Sequence, residues 1–284
     1  MSLASVDAYV DAGKTEGGVD VSMGRLEDRV VFITGGGSGI GKGIAELFAS
    51  EGAMVVAAGL TLKKTEDVAS GITAQGGQSI GVSIDVADSA SVRTAFAEAV
   101  SHFGPIDILV NNAGLSVGDT ILDFDELAWD RNLDVVLKGI YLCSREVLPG
   151  MIEKGKGVVL NVGSVNGLTG LGESAYSAAK AGMINLTQNM AIHYGPNGVR
   201  VNCIAPGTIR TPIWGERVER DPAVFDNLAK VYPLGRVGEI DDVTPAALFL
   251  CSDDAAWITG VTLPIDGGLT AGSFFINQLL QGSE

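Results

Sequence analysis

Apolar residues in the 284-residue chain gather into short continuous runs separated by longer stretches of mixed character. Val30–Ile33 is the first run. Met54–Ala58, Ile80–Ile84, Ile106–Val110, Gly157–Val162, Val199–Ile204 and Val261–Ile265 follow. Short runs without polar alternation fit strands buried on both faces. Between them, Ile44, Ala45, Leu47 and Phe48 recur at helical spacing, and Ser89–Phe103 and Asp125–Met151 read as amphipathic helices. Strands alternating with helices predict βαβ units, hence an α/β fold with one doubly wound parallel sheet covered by helices on both faces. No linker or repeat divides the chain, so residues 25–270 form one domain. Residues 1–24 are polar and rich in Gly and Asp and read as a flexible or oligomer-ordered arm. Residues 271–284 form a tail in which Phe274, Phe275, Ile276, Leu279 and Leu280 are too apolar for a free end, so it should pack on the body or on a partner.

Charge narrows the function. There are 34 acidic and 19 basic residues, a formal charge of -15, a field that repels phosphate backbones and argues against nucleic acid. Any phosphate held by this chain must therefore be held by local geometry. The 3 cysteines, Cys143, Cys203 and Cys251, form no C-x-x-C, and the 2 histidines, His102 and His193, lack ligand spacing, so no disulfide framework or metal site is expected. No apolar run approaches the ~18 residues of a membrane span. The first residues lack the pattern of a signal peptide, which makes the cytoplasm the expected location.

Two segments carry chemistry. Thr34-Gly-Gly-Gly-Ser-Gly-Ile-Gly41 joins the first strand to the first helix, with Gly35, Gly39 and Gly41 in a G-x-x-x-G-x-G pattern. Glycine permits the tight turn and removes the Cβ that would block a pyrophosphate, while the helix start offers free N–H groups to the anion. Tyr176-Ser-Ala-Ala-Lys180 places a phenol and an ammonium one helical turn apart. A neighbouring cation favours the phenolate and brings tyrosine toward acid/base chemistry at neutral pH. Ser164 follows the strand that ends in Val162, where a hydroxyl can bond a substrate oxygen.

Taken with Asp85-Val86, Asn111-Asn112-Ala113-Gly114, Pro206-Gly207 and Asp266-Gly267-Gly268, in this order and spacing, these segments make residues 25–270 resemble the short-chain dehydrogenase/reductase family. The resemblance implies a Rossmann-type sheet and an NAD(P)-dependent oxidoreductase that interconverts a secondary alcohol and a ketone. It assigns Tyr176 as general acid/base, Lys180 to the nicotinamide ribose and the tyrosine pKa, and Ser164 to polarising the substrate oxygen. The cofactor would be held by Gly35, Ser38, Gly39, Ile40, Gly41, Asp85, Val86, Asn112, Ala113, Gly114, Tyr176, Lys180, Pro206, Gly207, Ile209 and Thr211. The segment from about 208 to 236, with Trp214, Val218, Phe225 and Tyr232, resembles the family's mobile substrate lid. Relatives are commonly tetramers, which implies a homo-oligomer here.

The chain departs from the family pattern twice. The asparagine usual in the long helix is Val136, which cannot hold the water that links lysine to solvent; Asn132, four residues earlier on the same face, either takes over that relay through another water or, the favoured reading, lies on the helix surface. At the end of the second strand, the acidic residue that would bind the adenosine ribose is Gly59, followed by Leu60 rather than arginine. Lys63 and Lys64 are within reach of a 2′-phosphate, yet with no well-placed arginine NAD is favoured over NADP. The rival reading is a dinucleotide-binding sensor or scaffold with little turnover, kept open by Val136.

Overall fold

A computed structural model describes residues 24–282 except 119 and 124; the expected arm, residues 1–24, lies outside the described residues save for Gly24. Seven parallel strands form one sheet: β1 Val30–Thr34, β2 Met54–Gly59, β3 Gln78–Ser83, β4 Ile108–Asn111, β5 Gly157–Val162, β6 Val199–Pro206 and β7 Thr262–Ile265. Their spatial order is β3-β2-β1-β4-β5-β6-β7. The order reverses between β1 and β4, the switch point where ligands sit in open α/β sheets. The strand edges differ by up to two residues from the expected runs, because hydrogen-bond pairing rather than apolarity defines them.

Burial on both faces is written in the side chains. Val31 and Ile33 of β1 join one apolar cluster while Val30 and Phe32 join the other; Val55 and Ala57 against Val56 and Ala58 repeat the division in β2. The first cluster lies under α1 (Gly39–Ser50) and α9 (Ile240–Cys251). The second lies under α3 (Ser89–Phe103) and α5 (Gly139–Lys154). Removing such side chains from water supplies ~1.5–3 kcal/mol each before chain entropy is counted.

The other helices are α2 Leu62–Ala74, α4 Glu126–Leu133, α6 Ser174–Tyr194, α7 Gly215–Arg220, α8 Val224–Ala229 and α10 Phe274–Gln281. The helical stretch expected over 125–151 runs without a break from Glu126 to Lys154, and a π turn, Asp134–Lys138, within it divides α4 from α5. No described helix is long and apolar enough to cross a membrane.

Candidate active site

The loops leaving β1 and β4 are fastened together at the switch point. Asn112 donates through Nδ2 to the carbonyls of Thr34 (3.0 Å) and Gly35 (3.2 Å), and the Thr34 hydroxyl accepts the N–H groups of Asn112 and Ala113 (both 3.0 Å). Gly41 has no room for a side chain: a Cβ would lie 2.3 Å from the Gly35 carbonyl oxygen and 2.4 Å from Asn112 Nδ2. Gly39 is left-handed, with φ 54°, and a Cβ there would touch Thr211 at 3.4 Å. The loops after β1, β4 and β6 therefore meet at the start of α1. Ser38 caps that helix by backbone geometry alone, its hydroxyl making no cap bond, and no acidic residue stands in the first turn. The glycine-lined cradle, the free amides and the positive dipole end fit a dinucleotide pyrophosphate.

Farther along the same edge, Asp85 accepts the Ala87 N–H (2.9 Å) and faces the Arg131 guanidinium at 3.6 Å. Val86 packs against the backbone of Gly139, where a Cβ would meet it at 3.0 Å. Gly114 is exposed and Ile40 packs on the core. Lys63 is engaged by Asp67 at 2.6 Å, whereas the Lys64 stem lies beside Gly37 of the glycine loop.

Ser164, Tyr176 and Lys180 converge beyond the carboxyl end of β5. The Ser164 hydroxyl accepts the Asn166 N–H (3.2 Å) and hydrogen-bonds the Tyr176 phenol. Lys180 is buried; its Nζ donates to the Val162 carbonyl at 2.5 Å and stands 5.5 Å above the tyrosine ring centroid. Burial pushes the lysine down to about 8. The expected lowering of the tyrosine is not found. Burial raises the phenol to about 12, opposed by the Ser164 hydrogen bond and reinforced by the charge of Glu173. The ammonium is spent on Val162 and faces the ring rather than the oxygen.

Two residues differ from their expected settings. Asn132 is fully buried, not on the helix surface: Nδ2 donates to the carbonyls of Val117 (3.0 Å) and Ala128 (2.9 Å), and Oδ1 accepts the Val117 N–H (3.3 Å). It pins the loop after β4 to α4, because that loop's backbone has no strand partner there. Val136 lies on the π turn in an apolar cluster with Ile140, Ala179, Met183 and Cys203. Of the lid residues, Tyr232 is buried, and its hydroxyl accepts the Thr208 N–H at 2.7 Å, which makes it a structural anchor of the turn after β6. In that turn Gly207 donates to the Ile265 carbonyl (3.0 Å), and Ile209 is buried.

Sequence reasoning missed the polar pins behind the site. Asn111 donates to Asn161 (2.9 Å), which donates to Thr187 (2.8 Å), joining β4, β5 and α6 in the interior. An asparagine inside an apolar strand run was the available signal.

Comparison with known proteins bears on the family and the fold. A family model described as enoyl-(acyl carrier protein) reductase matches residues 35–270. The chain is 39% identical over 251 residues to 2-(S)-hydroxypropyl-CoM dehydrogenase 3 of Xanthobacter autotrophicus, covering 87% of this chain and 98% of that protein. It is 37% identical over 251 residues to meso-2,3-butanediol dehydrogenase of Serratia marcescens, covering 87% and 96%. A crystal structure of a short-chain dehydrogenase/reductase family oxidoreductase from Burkholderia thailandensis superposes with a TM-score of 0.83 at 40% identity, over 90% of this chain and 98% of that one. The chain belongs to the short-chain dehydrogenase/reductase family, whose members are NAD(P)-dependent oxidoreductases.

Proposed function

We propose that this enzyme interconverts a small secondary alcohol and its ketone, with Tyr176 as general acid/base. The observation that carries the reading is the convergence of Ser164, Tyr176 and Lys180 beside the dinucleotide cradle. Nicotinamide bound in this cradle would supply the hydride chemistry. In reduction the Tyr176 hydroxyl gives its proton to the carbonyl oxygen; in oxidation the phenolate takes the alcohol proton. Ser164 donates a hydrogen bond to the same oxygen. A phenol held near 12 stays protonated at neutral pH, so the proton that reduction needs is present there, while oxidation, which needs the phenolate, gains as pH rises. Lys180 must turn from Val162 to serve the ribose and the phenolate.

The pyrophosphate would lie on Gly35, Ser38, Gly39, Ile40 and Gly41, the adenosine along Asp85, Val86 and Asn112 to Gly114, and the nicotinamide under Pro206, Gly207, Ile209 and Thr211. We read NAD as preferred over NADP: Lys63 is held by Asp67, and Ser38, Gly59 and Leu60 offer no cation, which leaves Lys64, beside Gly37, as the side chain that tighter NADP binding would implicate. Relatives named for a hydroxypropyl-CoM and a butanediol substrate support a small alcohol. The enzyme is expected to work as a homo-oligomer in the cytoplasm.

A panel of small secondary alcohols and ketones, followed at 340 nm with both dinucleotides, tests the reading. Turnover with at least one pair is expected. Tight dinucleotide binding without turnover across the panel would favour the sensor reading.

A further inference from the structure

Ser164 is held at two points by the residue two places on. Across the short turn Val165–Gly167, the backbone N–H of Asn166 donates to Ser164 Oγ, and the Asn166 side-chain Oδ1 stands at the same distance from it, both 3.2 Å. The direction of the amide is fixed at its other end. Asn166 Nδ2 faces Ser177 Oγ at 3.3 Å and the Gly172 carbonyl at 3.5 Å, while the Ser177 hydroxyl gives its own proton to that carbonyl at 2.5 Å. Two acceptors on that side require the amide nitrogen there, which turns Oδ1 toward Ser164. An amide oxygen only accepts, so the single proton of the Ser164 hydroxyl points at Asn166. Ser164 is left with a lone pair for Tyr176, and the phenol is the donor in the hydrogen bond between them. Donors and acceptors thus run one way, from Tyr176 through Ser164 to Asn166, and from the Asn166 amide through Ser177 to Gly172.

We propose that Asn166 is a positioning residue: by taking the Ser164 proton it keeps the Tyr176 hydroxyl in its protonated, donating form until a substrate oxygen draws the serine proton away. This deepens the dehydrogenase reading and rests on it. A phenolate is stabilised by a donor and not by a lone pair, so a serine whose proton is held elsewhere disfavours it. A substrate oxygen bound by both hydroxyls competes with Asn166 for that proton. At 3.2 Å the Ser164–Asn166 bond is longer than the ~2.7–2.8 Å usual for O–H···O, so Asn166 is a weak competitor that a well-placed substrate displaces. The charged and titratable groups around the phenol are Lys180 on α6, Glu173 at the start of that helix and ion-paired with Arg217 of α7, and the Cys203 thiol on β6. The segments packed on α6 add Asp134 and Lys138 of the π turn, which pair with each other, and Glu126, Asp130 and Arg131 of α4. Exchanging one neutral side chain for another at position 166 leaves all of these in place, so the change falls on the serine proton.

The readout is the rising limb of kcat/KM for alcohol oxidation at saturating NAD, followed from neutral to alkaline pH. Asn166→Ala removes Oδ1 and keeps the backbone N–H on Ser164. The freed serine proton turns to the phenolate, and the limb should move to lower pH by about half a unit. Asn166→Leu, closer in volume, repeats the measurement should the alanine variant be unstable. Asn166→Asp keeps an acceptor toward Ser164 and should not lower the limb. In a Ser164→Ala background, assayed at high enzyme concentration, Asn166→Ala should move nothing, because no serine proton is left to redirect. A loosened or wetter site would shift the limb with or without Ser164. An unmoved limb in Asn166→Ala and Asn166→Leu, or a shift that persists without Ser164, would overturn the proposal while leaving the dehydrogenase reading intact. Full activity of Tyr176→Phe would instead sink the tyrosine reading on which the proposal rests.

Discussion

Lys180 is the residue whose environment speaks most directly to measurement. Its folded pKa, about 8, lies below the ordinary 10.5, so the unfolded chain binds more protons between those values. This group therefore destabilises the fold below about pH 8 and ceases to do so as pH rises toward 10.5. The thiols run the other way. Cys143, Cys203 and Cys251 are pushed up to about 12, 11 and 12, so their ionisation in the unfolded chain erodes stability above about 9. The difference in unfolding free energy between the native chain and Lys180→Met isolates the lysine. It should shrink in favour of the native chain from pH 8 to 10.5, as read by urea unfolding at stepped pH; a pH-independent difference would refute the burial of a titrating amine. Asn132→Ala strands both polar groups of Val117, so a loss of ~1–3 kcal/mol and a raised KM are expected, measured by denaturant midpoint and steady-state kinetics. That Ser164, Tyr176 and Lys180 come together was legible because their spacing repeats a pattern. Where their hydrogens go was not legible: that Lys180 turns to Val162 depends on a strand eighteen residues away in sequence.

Strands and helices were legible wherever apolar runs were continuous, since a sheet covered on both faces demands side chains apolar at every position. The alternation of β1 between two clusters shows why no period-2 pattern was there to read. The π turn between α4 and α5 was not legible, because it continues the helix, keeps helical apolar spacing on either side and carries neither Pro nor Gly within Asp134–Lys138. The glycine loop gives the sharpest element-scale prediction. In Gly41→Ala the new methyl would press on the Gly35 carbonyl and on Asn112, which bridges β1 and β4. Its neighbours there are backbone and a pinned amide that cannot yield cheaply. Stability should fall by ~1–3 kcal/mol, and NAD affinity should drop more than tenfold, read by thermal unfolding and by quenching of intrinsic fluorescence. Normal NAD affinity in that variant would remove the cradle from the account.

At the scale of the whole molecule, large apolar side chains remain exposed in several places, and two of these regions bear on association. A groove between the π turn and α6, lined by Leu133, Leu137, Tyr141 and Leu186, accompanies exposed Ile192 on α6. Around β7, Trp257 is 99% exposed, beside Val261 and Leu263, and Ile276 and Leu280 of the tail are also bare. Patches of this kind mark association, so light scattering should give a mass well above the 29.3 kDa of one chain. A monomer whose tail is freely cut by protease would contradict that expectation. The central claim, a tyrosine that moves the substrate proton, is tested most directly by Tyr176→Phe assayed at 340 nm with the best alcohol of the panel. The ring stays, the exchangeable proton goes, and kcat/KM should fall ~10²–10⁴-fold while NAD titration remains unchanged. Full activity in that variant would contradict the mechanism.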